Sequence, residues 1–363
     1  MNDDTEKAKA RAQAEYKQTE ADLNRQEQPK PLIEFLNPSE LRAYEPPPGS
    51  VLMGDNHIVR DAVFVIAGPP GVGKSRATIA LAQCGALIGS WLGYPAHIYF
   101  KTLIIQNENG RYRLKLEFSD IDCPELENSL LITPPPPLGL CFDRKDFREQ
   151  LKAGVDSFQP HLCLIDPWNA AARDDRQKDY LQTFNDIRSV FPPGLDGPAI
   201  GIVAHTRKPY PNERANGRAL LNLLAGSYVL GSIPRCVWVL QHASDDVSED
   251  RVVLTCCKNN DGQLGPRSPW VRSNGVFVPV KDFDWEDFDH PERRDKDDKP
   301  IDETALAEIF ENGKKKMKRL DAVEALLILT GKKRSTCYNA LNEKSGRLKK
   351  WLRLDTGLLV FIP

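Results

Sequence analysis

The octapeptide Gly68-Pro69-Pro70-Gly71-Val72-Gly73-Lys74-Ser75 constrains this chain more than any other stretch. It fits the pattern G-x-x-x-x-G-K-[ST] without a mismatch. An apolar run at 62–67 precedes it, and a helix-like stretch at 74–88 follows. Glycines let such a loop wrap closely around an anion, because no Cβ blocks the approach. Successive backbone N–H groups and the following helix N-terminus then attract negative charge. Lys74 is expected to reach the β- and γ-phosphates of a bound nucleotide, and Ser75 to ligate Mg²⁺. The expected binding loop is Gly68 to Ser75, with Arg76 directly after it.

Downstream, short apolar runs alternate with helix-like stretches. Residues 102–106, 161–165, 199–204, 236–241 and 252–257 read as buried strands. Residues 144–151, 178–190 and 219–230 read as helices. Continuous apolar strands separated by helices predict an α/β fold, a mostly parallel sheet covered on both faces. With 363 residues, 40% of them hydrophobic, the chain can form two domains with sizeable cores.

Other classes fit poorly. No apolar run reaches the roughly 18 residues that span a bilayer, so no membrane partner is expected. The N-terminus lacks a basic stretch leading into an apolar one, so no secretory leader is expected. Eight scattered cysteines form no Cys-x-x-Cys pair, and six dispersed histidines add no metal-site spacing. Cys256 and Cys257 lie in an apolar run and read as core. A reducing cytoplasm is the expected compartment.

A phosphate loop of this kind needs an acid near the metal, at the end of another strand. Asp166 meets that need: Leu162-Cys163-Leu164-Ile165 leads into it, and Pro167 ends the run. In AAA+ proteins a second acid directly follows this aspartate, and Pro167 stands there instead. Glu108 lies just past the strand at 102–106, where a carboxylate can reach an attacking water. His205 ends the strand at 199–204, beside Arg207 and Lys208.

Taken in order, these motifs resemble a RecA-type core, and the order continues with Ala225-Gly226-Ser227, Pro234-Arg235 and Lys258-Asn259-Asn260-Asp261-Gly262. Over roughly residues 50–280 the chain looks like the RepA-like branch of hexameric replicative helicases. That resemblance implies Mg·ATP as substrate, bound between neighbouring subunits of a homo-hexamer. It implies Glu108 as the catalytic base, His205 as the γ-phosphate sensor, and Arg235 with Lys258 as cations supplied to the adjacent subunit's site. The loop 207–218, with Arg207, Lys208, Tyr210, Arg214, Asn216 and Arg218, would face DNA.

Charge is distributed unevenly. Lys and Arg number 49 against 51 Asp and Glu, a net charge of −2 that argues against a nucleic-acid partner. Residues 281–300, however, hold nine acids and five bases, and read as an acidic linker. Residues 313–353 hold thirteen bases against Asp321, Glu324 and Glu343, a local charge of +10. Clustered cations of this kind neutralise phosphates. Helix-like stretches at 302–311, 320–329 and 335–343 precede two apolar runs joined through Asp355-Thr356-Gly357. Three helices and a hairpin predict a DNA-binding winged helix, with Ser335, Thr336, Tyr338 and Asn339 facing bases. The expected organisation is a charged arm at 1–45, a RecA-like ATPase domain at 46–280, a linker at 281–300 and a winged helix at 301–363. The expected activity is that of a DNA motor, with an ATP-gated DNA-binding regulator or an assembly ATPase as alternatives.

Overall fold

A computed structural model describes residues 33, 35–172, 176–208, 215–244, 250–273, 276–289, 301–311, 315–332, 334–343 and 348–362. The charged stretch at 1–30 lies outside them. The chain divides into two units, Met1–Pro47 and Pro48–Pro363. In the first, helix α1 (Pro38–Ala43) is capped by Asn37, whose side chain accepts from the Ser39 and Glu40 N–H groups.

The second unit is built on a nine-stranded sheet. In chain order its described elements begin with a small ribbon, β1 (Val51–Met53) and β2 (Ile58–Val59), before the first strand of the large sheet, β3 (Val63–Gly68). Helix α2 (Lys74–Leu87) and the ribbon β4 (Ser90–Trp91) and β5 (Tyr94–Pro95) lead to β6 (Thr102–Gln106). Helices α3 (Arg111–Ser119) and α4 (Leu126–Ser129) precede β7 (Leu130–Ile132). Then come α5 (Lys145–Phe158), β8 (Leu162–Asp166), α6 (Gln177–Arg188), β9 (Ala199–His205), α7 (Val229–Ser232) and β10 (Cys236–His242). Strands β11 (Arg251–Asn259), β12 (Ser268–Ser273) and β13 (Val276–Pro279) follow, with α8 (Trp285–Asp289) after them.

The strand order is β13-β12-β11-β10-β3-β9-β8-β6-β7. Six neighbouring strands from β10 to β7 are parallel, and β11 to β13 extend the sheet in antiparallel fashion. This is the mostly parallel α/β sheet that the apolar runs predict. Its strands are buried on both faces, as an alternation along β3 makes clear. Phe64 and Ile66 pack into one core with Leu164 and Trp238. Val65 and Ala67 pack into the other with Ile165, Ile202 and Phe184. Each such Val, Ile or Phe withdrawn from water contributes roughly 1.5–3 kcal/mol.

Two helices differ from the sequence reading. The stretch 144–151 extends to Phe158, where Gln159 closes α5 in a left-handed conformation at φ 54°. The stretch 219–230 is not one helix: a 3₁₀ run at Gly217–Leu223 gives way to an extended Leu224 and then to the short α7. Tertiary hydrogen bonds interrupt it, from Arg207 N–H to Leu223 C=O and from Ala225 N–H to His205 C=O. They tie the segment to the end of β9, and Gly226 turns the chain at φ 88°.

Within the acidic stretch 281–300, α8 is anchored to the sheet. Asp289 accepts from both Arg267 amino groups at 2.7 and 2.9 Å, and the Arg267 guanidinium lies 4.4 Å from the Trp285 ring centre. Residues 290–300 lie outside the described set.

The C-terminal segment has its own core of Leu306, Phe310, Val323, Leu326, Cys337, Leu341, Leu359 and Phe361, among others. Helix α9 (Glu303–Ile309), β14 (Lys316–Met317), α10 (Arg319–Thr330), α11 (Arg334–Ala340), β15 (Leu352–Asp355) and β16 (Leu358–Phe361) enclose it. The three strands pair antiparallel in the order β14-β16-β15. Thr356 and Gly357 close the β15–β16 hairpin, both at positive φ, as a two-residue turn of type I′ requires.

Candidate nucleotide-binding site

Strand order decides which motifs meet. β6, β8, β9 and β3 are consecutive neighbours and all run in one direction. Their C-terminal ends therefore form a row, spaced by about 4.8 Å per strand. Glu108, Asp166, His205 and the Gly68–Ser75 loop lie at those four ends, so residues far apart in sequence line one cavity of about 550 Å³. Ligands of open α/β sheets bind at this edge.

The loop is shaped for an anion. Gly71 and Gly73 hold φ of 78° and 93°, a region that side-chain-bearing residues avoid. Val72 points inward, fully buried in the core. Helix α2 starts at Gly73 without a side-chain cap or an acid in its first turn, so its N-terminal N–H groups remain for a ligand. Alanines at 77, 80, 82 and 86 favour that helix, and Ile88 and Gly89 end it.

Lys74 is buried at the centre. Its ammonium donates to Gly68 C=O at 3.0 Å, to Pro69 C=O at 2.9 Å and to His205 Nδ1 at 3.3 Å. The last contact requires a neutral His205 with its proton on Nε2. Burial pushes the Lys74 ammonium below its ordinary range, while Asp166 and Glu108 pull it back up. Burial also lowers His205, with the Lys74 charge adding to the effect and Glu108 opposing it. Burial raises the Asp166 carboxyl; a hydrogen bond from Ser75 opposes the rise, Glu108 adds to it and Lys74 opposes it. Ser75 and Asp166 thus present a hydroxyl and a carboxylate to one point, hard oxygen donors that suit Mg²⁺.

Two residues that shape this cavity carry no motif signal. Gln106 ends β6 fully buried. Its Oε1 accepts from the Glu108 and Asn109 N–H groups, and its Nε2 donates to Asn109 and Thr133 C=O. It holds the turn that aims Glu108. The only hint in the sequence is a polar side chain closing an apolar run. The other is Arg272 on β12, which lines the cavity from the antiparallel side of the sheet. Arg76, at the loop's end, pairs with Glu117 on α3 at 2.7 Å.

Arg235 and Lys258 lie elsewhere. Arg235 N–H donates to Val63 C=O, at the start of β3 and not its end, so the length of that strand, about 16 Å, separates it from the loop. Its guanidinium is paired with Asp261. Lys258 donates to Gly231 and Ser232 C=O, at the end of α7.

Residues 25–181 match the AAA_25 family, described as an AAA domain. The match takes in the glycine loop, Glu108 and Asp166. The core is of the P-loop ATPase type. Among solved structures, the chain is similar to the KaiC-like protein PH0186 from the archaeon Pyrococcus horikoshii OT3. The two are 14% identical with a TM-score of 0.44, over 65% of this chain and 96% of that one. No curated protein matches the chain. Among the described residues, no helix is long and apolar enough to cross a membrane, and no cluster of three or more potential metal ligands from His, Cys, Asp and Glu occurs.

Proposed function

We propose that this P-loop protein is an Mg·ATP-hydrolysing DNA motor that assembles as a hexamer, a replicative helicase of a plasmid, phage or other mobile element. The observation that carries the ATP part is the convergence of Lys74, Ser75, Glu108, Asp166 and His205 on one cavity. Ser75 and Asp166 would hold Mg²⁺, which supplies charge neutralisation at the phosphates. Lys74 binds the β- and γ-phosphates. Glu108, exposed at the cavity and held by the Gln106 turn, orients the attacking water and takes its proton on the carboxylate. His205, in contact with Lys74, is the group through which occupancy of the γ-phosphate seat reaches the loop that follows β9.

Arg235 and Lys258 sit too far from their own loop to serve it, which suits a role at a neighbouring subunit's site. A cation supplied in this way is worth about 10³–10⁵ in rate. For the DNA part, the support is the charge of +10 over 313–353 and the helix-and-hairpin order of the C-terminal segment, which we read as a winged helix. Thr336, Tyr338 and Asn339 on α11 are exposed there.

The test is ATP hydrolysis with and without single-stranded and forked DNA, followed by strand displacement, with Lys74→Ala as the blank. The expected outcome is hydrolysis stimulated by DNA and coupled to displacement. Stimulation without displacement favours an ATP-gated DNA-binding regulator. Hydrolysis indifferent to DNA favours an assembly ATPase.

A further inference from the structure

The cavity holds a cation that no carboxylate of its own lining engages. Four cationic side chains from Lys and Arg line it: Lys74, Arg76, Arg113 and Arg272. Arg76 and Arg113 are both engaged by Glu117, at 2.7 and 2.9 Å, and Glu117 lines the same cavity. Arg272 is held differently. Its Nη2 donates to Asp250 at 2.6 Å, and Asp250 lies outside the phosphate cavity, in an adjoining cleft of about 190 Å³. Arg272 stands between the two spaces and lines both.

Its seat is cut to fit. A Cβ on Gly73 would come 2.9 Å from Arg272 Nη1 and 3.3 Å from its Cδ. The guanidinium therefore lies against the last glycine of the loop, a position where the left-handed backbone and the close approach both demand glycine. Arg272 Nε is buried with no hydrogen-bond partner among the described residues. A guanidinium anchored through Nη2 by a carboxylate keeps Nη1, the donor beside Gly73, for an acceptor in the cavity.

We propose that Arg272 is a nucleotide-binding residue supplied in cis, contacting the phosphate chain beside Gly73, with Asp250 as the residue that positions its guanidinium. The proposal rests on the reading of this cavity as a nucleotide site. It assigns Arg272 to ground-state binding of the phosphates and not to the base, so it serves any purine nucleotide alike.

Titrations of the full chain with mant-ATP, mant-ADP and mant-GTP, followed by fluorescence, test it. Arg272→Ala is expected to raise Kd about 10- to 100-fold for all three probes, as loss of a charge-assisted contact does. Arg272→Lys restores part of the affinity, and Asp250→Asn weakens binding by a smaller factor. Circular dichroism establishes that each variant is folded. A folded Arg272→Ala variant that binds all three as wild type does, or that loses only one base, overturns the proposal. Failure of the underlying reading looks different: wild type and Lys74→Ala then bind the probes equally, which overturns both.

Discussion

At the scale of single residues, the site concentrates groups that burial penalises. Asp166 shows the cost most clearly. Its carboxyl is raised by burial, so the folded state holds its proton to higher pH than the unfolded chain does. Stability therefore falls as pH rises from the ordinary carboxylate value through the raised one, and the full penalty applies at neutral pH. Asp166→Asn is expected to stabilise the nucleotide-free protein at pH 7, by about 0.5–2 kcal/mol as for other relieved functional sites, while abolishing Mg²⁺-dependent hydrolysis. Thermal melts at pH 4 and pH 7 check this, with the smaller gain at the lower pH. Glu108→Gln keeps the side chain's shape and removes the base. Nucleotide binding should persist while turnover drops about 10²- to 10⁴-fold, read as kcat in a steady-state assay. Lys74, Ser75, Asp166 and Glu108 were all legible in the sequence, because a glycine loop and acids at strand ends are local signals. Gln106 and Arg272 were not, because their significance lies in what folds against them.

At the scale of elements, the parallel strands could be read nearly to their ends, since a strand buried on both faces must be apolar throughout. What could not be read was where tertiary bonds break a helical pattern, as at 217–232, or which strands join the sheet from outside the regular alternation, as β12 and β13 do. Packing inside the sheet is tight. A Cβ on Gly201, in the middle of β9, would sit 2.3 Å from the Leu164 side chain and 2.5 Å from Phe64. Gly201→Ala should cost about 1–3 kcal/mol, measured by denaturant unfolding, because Leu164 and Phe64 are both held from other strands and have little room to yield.

At the scale of the whole molecule, the core of the C-terminal segment shares no residue with the two cores that flank the large sheet. Removing residues 301–363 should therefore leave nucleotide binding near the wild-type level and reduce DNA affinity at least 10-fold, with a shallower dependence on salt. Fluorescence anisotropy on labelled DNA at two salt concentrations measures both. Unchanged affinity would take DNA binding away from this module. The net charge of −2 hides this asymmetry, because it sums the acidic stretch, the basic one and a remaining chain that offsets the basic excess. Part of the acidic stretch turns out to be structural, since Asp289 is spent on Arg267.

By itself the sequence determined the chemistry available: a loop that only glycine can shape, an ammonium, a hydroxyl and two carboxylates, each at the end of an apolar run. Those are properties of short stretches, fixed by backbone sterics and by the period of the side chains. The tertiary structure decided which of them meet. Placing β9 between β3 and β8 brings His205 onto Lys74, and the two antiparallel steps from β10 through β11 to β12 return Arg272 to the same edge while leaving Arg235 and Lys258 at the other. Strand order and direction are settled by how whole elements bury their faces against one another, so no short stretch of sequence contains them.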